Sequence, residues 1–153
     1  MRGNWITGRP EMFQVIEKCD VCYVSMVDQN NMPYVVPLNF GVKDGFIYLH
    51  SSKTGKKLDI LRQNNKVCIA FSTDHQLKYQ NEAVACSYAM KYRSVLVYGH
   101  IEFIEEWEEK IEALNIVMRK YTDKEFSYNS PAIREVCTYR VIINEMTGKK
   151  LGY

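Results

Sequence analysis

Arg93 to Ile104, RSVLVYGHIEFI, reads as one uninterrupted strand, rich in β-branched and aromatic residues. Strands usually run to roughly five or six residues, so one of this length crosses a whole barrel. Gly99 inside it marks a candidate bulge. Around it lie shorter extended runs. Val21 to Val27 ends in the turn Asp28-Gln29-Asn30-Asn31, Met32 to Val42 follows, and Lys43-Asp44-Gly45 is a hairpin signal before Phe46 to Leu49. These three runs predict a meander. Lys66 to Ser72, Ala83 to Tyr88 and Val136 to Ile143 are further strands, with a loop or strand edge over Thr73 to Glu82. Helical spacing is confined to three places. Pro10 opens a first turn leading through Phe13 and Ile16 to Lys18; Leu58 and Leu61 lie on one face of a short helix ending near Asn64-Asn65; Trp107, Ile111, Leu114, Met118 and Tyr121 recur on a longer one from Glu106. The expected fold class is mainly β with covering helices, its antiparallel strands closing into a barrel that removes exposed edges.

A chain of 153 residues is long enough to bury a core without staples, and residues 1–153 are expected to form a single domain. With 20 Lys and Arg against 18 Asp and Glu, the charge is nearly balanced. That argues against a nucleic-acid surface, which would show a strong basic excess. No apolar stretch reaches transmembrane length and no signal-peptide pattern is present, so no membrane partner and a cytoplasmic location are expected. The cysteines number five, at irregular spacing, which fits free thiols better than a disulfide framework.

One segment carries candidate chemistry. In His50-Ser51-Ser52-Lys53-Thr54-Gly55-Lys56-Lys57 an apolar strand runs into hydroxyls and lysines just where a helix begins. Thr54 is the expected N-cap, which puts Lys56 and Lys57 in the first turn, against the positive end of the helix dipole. That placement costs about 0.3 to 1 kcal/mol per charge unless an anion supplies the compensating field. A phosphate would do so through free backbone N–H groups, hydroxyls and ammonium charges together. The alternative is a solvated basic turn. The segment is not a Walker A loop, because His50 stands at the first glycine position and Lys57 at the magnesium-binding hydroxyl position.

Four motifs in order, VVPLNFG (Val35 to Gly41), DGFIYLHSS (Asp44 to Ser52), GKKLDILRQN (Gly55 to Asn64) and MKYRSVLVYGHIEF (Met90 to Phe103), resemble those of the FMN-binding split β-barrel proteins. These form the pyridoxamine 5′-phosphate oxidase-like superfamily, and the likeness is greatest to its 5-nitroimidazole-resistance (Nim) branch. The resemblance spans nearly the full chain and implies a homodimer with two flavin sites at its interface, each built from both subunits. It implies that the strand of Val36, Pro37, Leu38 and Asn39 lines the isoalloxazine ring. It also implies that His50 and Ser51 lie beside the ribityl phosphate, that Lys56 and Lys57 grip the phosphate, and that Tyr92, Arg93 and Ser94 complete the pocket. The arginine-rich ending of the true oxidases has no counterpart here, so pyridoxamine phosphate oxidation is not expected. Residue chemistry agrees with this reading. Arg93 can meet a phosphate bidentately while Lys56 and Lys57 act as point charges, and Pro37, which has no N–H, marks a strand edge or bulge.

Two functions follow as expectations. One is an FMN-dependent oxidoreductase passing electrons from NADH or NADPH to a small acceptor such as a nitroaromatic, a quinone or a flavin; the cofactor does the chemistry, and His50 is the candidate proton donor. The other is a non-catalytic FMN-binding or flavin-sensing homodimer. No metal site is expected. Cys19-Asp20-Val21-Cys22 has zinc or redox spacing, but it lacks a second ligand pair and lies at a helix-to-strand junction, where buried thiols are the simpler reading. His75 and His100 are expected at the surface or on a strand face.

Overall fold

A computed structural model describes residues 3–153. In chain order its elements are β1 (Asn4–Ile6), α1 (Arg9–Lys18), β2 (Cys22–Val27), β3 (Pro33–Leu38), β4 (Phe40–Lys43), β5 (Phe46–Ser52) and α2 (Lys56–Gln63). They continue with β6 (Lys66–Lys78), a 3-10 turn (Ala85–Ser87), β7 (Ala89–Ile104), α3 (Trp107–Tyr121), α4 (Ser130–Arg134) and β8 (Val136–Leu151).

The strands pair antiparallel in the order β3-β2-β6-β7-β8-β5-β4, with β1 beside the far end of β8. Only Asn39 separates β3 from β4, so the two ends of this order are one continuous piece of chain. That piece pairs with β2 before Asn39 and with β5 after it, which closes the sheet into a barrel. The interior is filled by alternate residues of each strand, among them Val24, Leu49, Ile69, Val97, Tyr139 and Val141, all fully buried. Phe40 and Phe71 meet edge to face across it with ring centroids 5.1 Å apart. Truncating Leu49 to Ala would leave a cavity costing about 2 to 5 kcal/mol.

The long strand is longer than the sequence suggests, beginning at Ala89, and β8 runs on to Leu151 beside it. Their ladder shifts register between Tyr98 and Gly99. A Cβ at Gly99 would drive into the Ile142 carbonyl, so the predicted bulge is where only glycine lets the two backbones approach. The hairpin at Asp44-Gly45 is present, with positive φ at both residues, as a type I′ turn requires. The expected strand over Ala83 to Tyr88 does not form. Local side-chain bonds take its backbone groups: Asn81 Oδ1 accepts from Ala83 N–H at 2.9 Å and Ser87 Oγ donates to the Asn81 carbonyl at 2.7 Å. Of the loop or strand edge expected over Thr73 to Glu82, the first part continues β6 to Lys78 past a bulge at which Asp74 takes a left-handed φ of 57°, and the remainder is loop. β1 and α4 have no counterpart in the sequence reading.

The helices cover the barrel. Pro10 sits in the first turn of α1, which buries Met12, Val15 and Ile16 against the sheet. α3 is capped by the Glu106 carboxylate, which accepts from Glu109 N–H at 2.9 Å, and packs on β4 and β5. α2 leaves the end of β5 and buries Leu58, Ile60 and Leu61. Among the described residues no helix is long and apolar enough to cross a membrane.

Candidate functional site

The change of partner at Asn39 shapes the site. Asn39 belongs to neither ladder, and the groups on either side of it bond to side chains. Cys22 Sγ donates to the Leu38 carbonyl at 3.5 Å, and the Phe40 N–H donates to the Tyr121 hydroxyl at 3.1 Å, which itself donates to the Asp20 carbonyl at 2.7 Å. A residue of β2 and one of α3 thus hold the kink open. Beside it lies a cavity of about 300 Å³ lined by Val21, Pro37, Leu38, Asn39 and His50. Four of these five are residues expected to face a cofactor. Val36 is not among them; its half-buried side chain packs against the barrel core.

His50 reaches this cavity from β5, a strand that extends past the expected end at Leu49 to Ser52. The imidazole is half-buried and its Nδ1 is fully buried without a hydrogen-bond partner. Burial lowers its pKa, which favours the neutral ring. A buried polar nitrogen left unpaired carries a desolvation cost of about 1 to 3 kcal/mol. Ser51 follows on the same strand and donates its hydroxyl to the Ser52 carbonyl at 2.9 Å.

The loop after β5 turns into α2 through Gly55, not through Thr54 as expected. Gly55 is the N-cap, with φ 132° and ψ 161°, a backbone conformation essentially restricted to glycine, and no side chain caps the helix. Lys56 is exposed and Lys57 half-buried in this first turn, whose leading N–H groups no side chain caps. Lys56 Nζ lies 4.9 Å from the Tyr34 ring on β3, which keeps it on the side of the kinked strand. Lys53 turns the other way and pairs with Glu135 at 3.0 Å.

The third predicted segment is not brought to these lysines within one chain. Arg93 pairs with Asp74 at 2.5 Å, and Lys18 joins them at 3.2 Å. The Arg93 guanidinium beside it is the main cause holding the Asp74 carboxyl below its usual range. The Tyr153 ring lies between Lys91 and Arg93, 3.7 and 3.8 Å from its centroid, while its hydroxyl donates to the Asp74 carbonyl at 2.8 Å. Ser94 Oγ donates to the Lys149 carbonyl at 3.5 Å, and Tyr92 pairs with Leu151. Among the described residues no hydrogen bond or ion pair links this cluster to α2. The three cations expected to share one phosphate thus lie in two separate groups.

Cys19 and Cys22 are buried free thiols. Burial pushes Cys22 up to about 12, the opposite of a reactive thiolate. His100 Nδ1 shares a hydrogen bond with Asn144 at 3.0 Å, and His75 with the Ser72 hydroxyl at 2.7 Å; neither faces the kink cavity.

The profile of the pyridoxamine 5′-phosphate oxidase family matches residues 8–150. The chain belongs to this family. Its barrel is the split barrel of that family, with eight strands in one antiparallel sheet. A candidate 5-nitroimidazole antibiotic resistance protein from Bacteroides thetaiotaomicron is 43% identical, with 97% of this chain and 87% of that one covered and a TM-score of 0.88. An FAD- and heme-binding protein from Mycobacterium smegmatis superposes with a TM-score of 0.85 at 15% identity, covering 97% of this chain and 74% of that one. A flavocytochrome from Azotobacter vinelandii gives 0.84 at 18% identity, covering 97% and 70%. At those identities the last two speak for the fold alone. No curated protein matches the chain.

Proposed function

We propose that the protein is an FMN-dependent oxidoreductase, working as a homodimer, that passes electrons from a reduced nicotinamide to a small acceptor. The observation that carries this reading is the cavity at Asn39, lined by Pro37, Leu38 and His50, with the uncapped α2 terminus and its two lysines one loop beyond the end of β5. A flavin mononucleotide asks for three things: polar contacts to a ring edge, a wall to lie against, and a phosphate cradle with two cations. The residues present fit it.

When bound, the flavin supplies reversible two-electron chemistry. The chain's own contributions are positional. Pro37, Leu38 and Asn39 present backbone at the kink; Gly55, Lys56 and Lys57 fix the phosphate end. His50, held neutral by burial, offers a hydrogen bond and not the charge of an imidazolium. It can steady a polar ring atom, or donate a proton only if an acceptor draws it out.

Dimerisation is supported by the outer face of β3, β2, β6 and β7. Tyr23, Val35 and Tyr98 stand on it 48%, 57% and 41% exposed. They share one face because Ser25 pairs with both Val35 and Cys68, and Cys68 with Tyr98. A solvated sheet face would be polar. On this reading Tyr92, Arg93 and Ser94 complete the site of the opposite subunit, which explains why they sit apart from Lys56 and Lys57 in their own.

Anaerobic mixing of the FMN-loaded protein with NADH or NADPH, followed by a nitroaromatic or quinone, tests the reading. Bleaching of the flavin absorbance by one nicotinamide and its return with an acceptor is expected. Tight FMN binding without bleaching by either donor would leave the non-catalytic flavin-binding dimer in its place.

A further inference from the structure

On the reverse side of the β5–α2 loop lies a second cavity of about 290 Å³, separate from the kink. Lys53 from the loop, Arg62 from the last turn of α2, Lys110 from α3 and Arg134 from the end of α4 all face it, against the single carboxylate of Glu105; Cys137 is part of its lining. Elsewhere lysines find acids, as in Lys43 with Glu112 and Lys150 with Glu11. Here, among the described residues, Arg62, Lys110 and Arg134 have no ion-pair partner, and only Lys53 is paired, with Glu135. These charges come from four different elements, so this is not the solvated face of one helix. Lys53, Arg62 and Arg134 are exposed and Lys110 is half-buried, so water reaches these charges, but their convergence from four elements leaves the cavity positive and favours an anion there.

The walls narrow the choice of anion. Cys137 is 9% exposed and burial pushes its thiol up, so it contributes no negative charge. Arg62 lies over the Phe103 ring, 5.4 Å from its centroid, which restrains the guanidinium. Two arginine forks with lysines beside them suit the several oxygens of a tetrahedral oxyanion. The volume of about 290 Å³ admits a phosphate group.

We propose that this cavity binds a phosphate-sized oxyanion, either free or as the terminal phosphate of a larger molecule, independently of the site at Lys56 and Lys57. Lys53 and the neighbouring Thr54 line it, and Gly55 and Lys56 follow directly. Its occupant would brace the reverse side of the loop that carries the α2 lysines.

Residue-resolved amide NMR of the whole protein tests this, with inorganic phosphate titrated at an ionic strength held constant with chloride. The expected result is saturable movement of the Thr54, Glu105, Val136 and Cys137 amides, half complete at or below about 1 mM. Movement at Lys56, Lys57 and Leu58 reports the other site separately. Arg62→Gln and Arg134→Gln should each weaken binding at the first set by at least about tenfold. Arg134, at the end of a short surface helix, serves where the α2 substitution disturbs folding. Adenosine monophosphate moving the same amides would assign the terminal phosphate of a larger ligand, and phosphate alone doing so would assign the free ion. Equal movement with chloride, movement confined to Lys56, Lys57 and Leu58, or unchanged affinity in Arg134→Gln would overturn the proposal.

Discussion

Gly55→Ala isolates what the loop conformation is worth. At φ 132° and ψ 161° Gly55 occupies a region that costs any other residue about 1 to 3 kcal/mol. A Cβ built there meets nothing within 4 Å, so no clash adds to the figure and the whole penalty is torsional. The chain has two responses. If the loop keeps its shape, the folded protein loses about 1 to 3 kcal/mol, which urea unfolding would register directly. If it relaxes, the first-turn N–H groups and the two lysines re-aim, and FMN affinity falls by up to the same energy, roughly five- to a hundred-and-fifty-fold. A fluorescence titration with FMN, run beside the unfolding curves, divides the cost between the two. Gly45→Ala is the control, since Gly45 also has positive φ, at 80°, and open surroundings, but sits in the β4–β5 hairpin turn. It should lose stability with FMN affinity intact. Wild-type stability together with wild-type affinity in Gly55→Ala would refute the argument that this backbone shape builds the cradle.

Lys57→Ala should weaken FMN by roughly ten- to a hundred-fold and leave riboflavin, which lacks the phosphate, unchanged; isothermal titration with both ligands decides it. If each site draws on both subunits as proposed, a charge on the apolar sheet face, Val35→Glu, should convert a sedimenting dimer to monomer and lower FMN affinity with it; a monomer retaining full affinity would contradict the shared site. The pH dependence of stability should carry the mark of His50. Burial places its folded pKa below the unfolded value near ~6.5, so the unfolded chain binds more protons and stability falls as pH drops from ~6.5 towards the folded pKa. His50→Gln should flatten that part of a urea-midpoint profile, and an unchanged slope would show that the imidazole titrates freely.

Much of the barrel was legible because its signals are local. The apolar, β-branched and aromatic runs of β2 and β5, the Asp44-Gly45 turn, the glycine inside β7 and the apolar stripe of α3 are each read from neighbouring residues. What escaped depends on partners far along the chain. Met32 to Val42 reads as one strand in which Pro37 marks only an edge or bulge; the exchange of β2 for β5 at Asn39 is held by Cys22 and Tyr121, which come from elsewhere in the chain. Ala83 to Tyr88 has strand composition, yet Asn81 and Ser87 offer its backbone a closer set of partners.

The candidate site follows the same division. His50, Pro37, Leu38 and Asn39 meet because the break in β3–β4 falls beside the end of β5, a consequence of barrel closure and not of any motif taken alone. This barrel closes through a segment that changes partners, and the change leaves Asn39 outside both ladders. Backbone freed in this way must find hydrogen bonds, and Cys22 and Tyr121 satisfy the residues flanking Asn39 while leaving Asn39 itself at the surface. A planar ligand laid against the kink meets groups that the fold had to expose in any case. The anion end differs, because Lys56, Lys57 and Gly55 are not required for closure; their joint presence one loop away from the kink is therefore the part of the arrangement that the barrel's architecture leaves unexplained and a phosphate-bearing ligand explains.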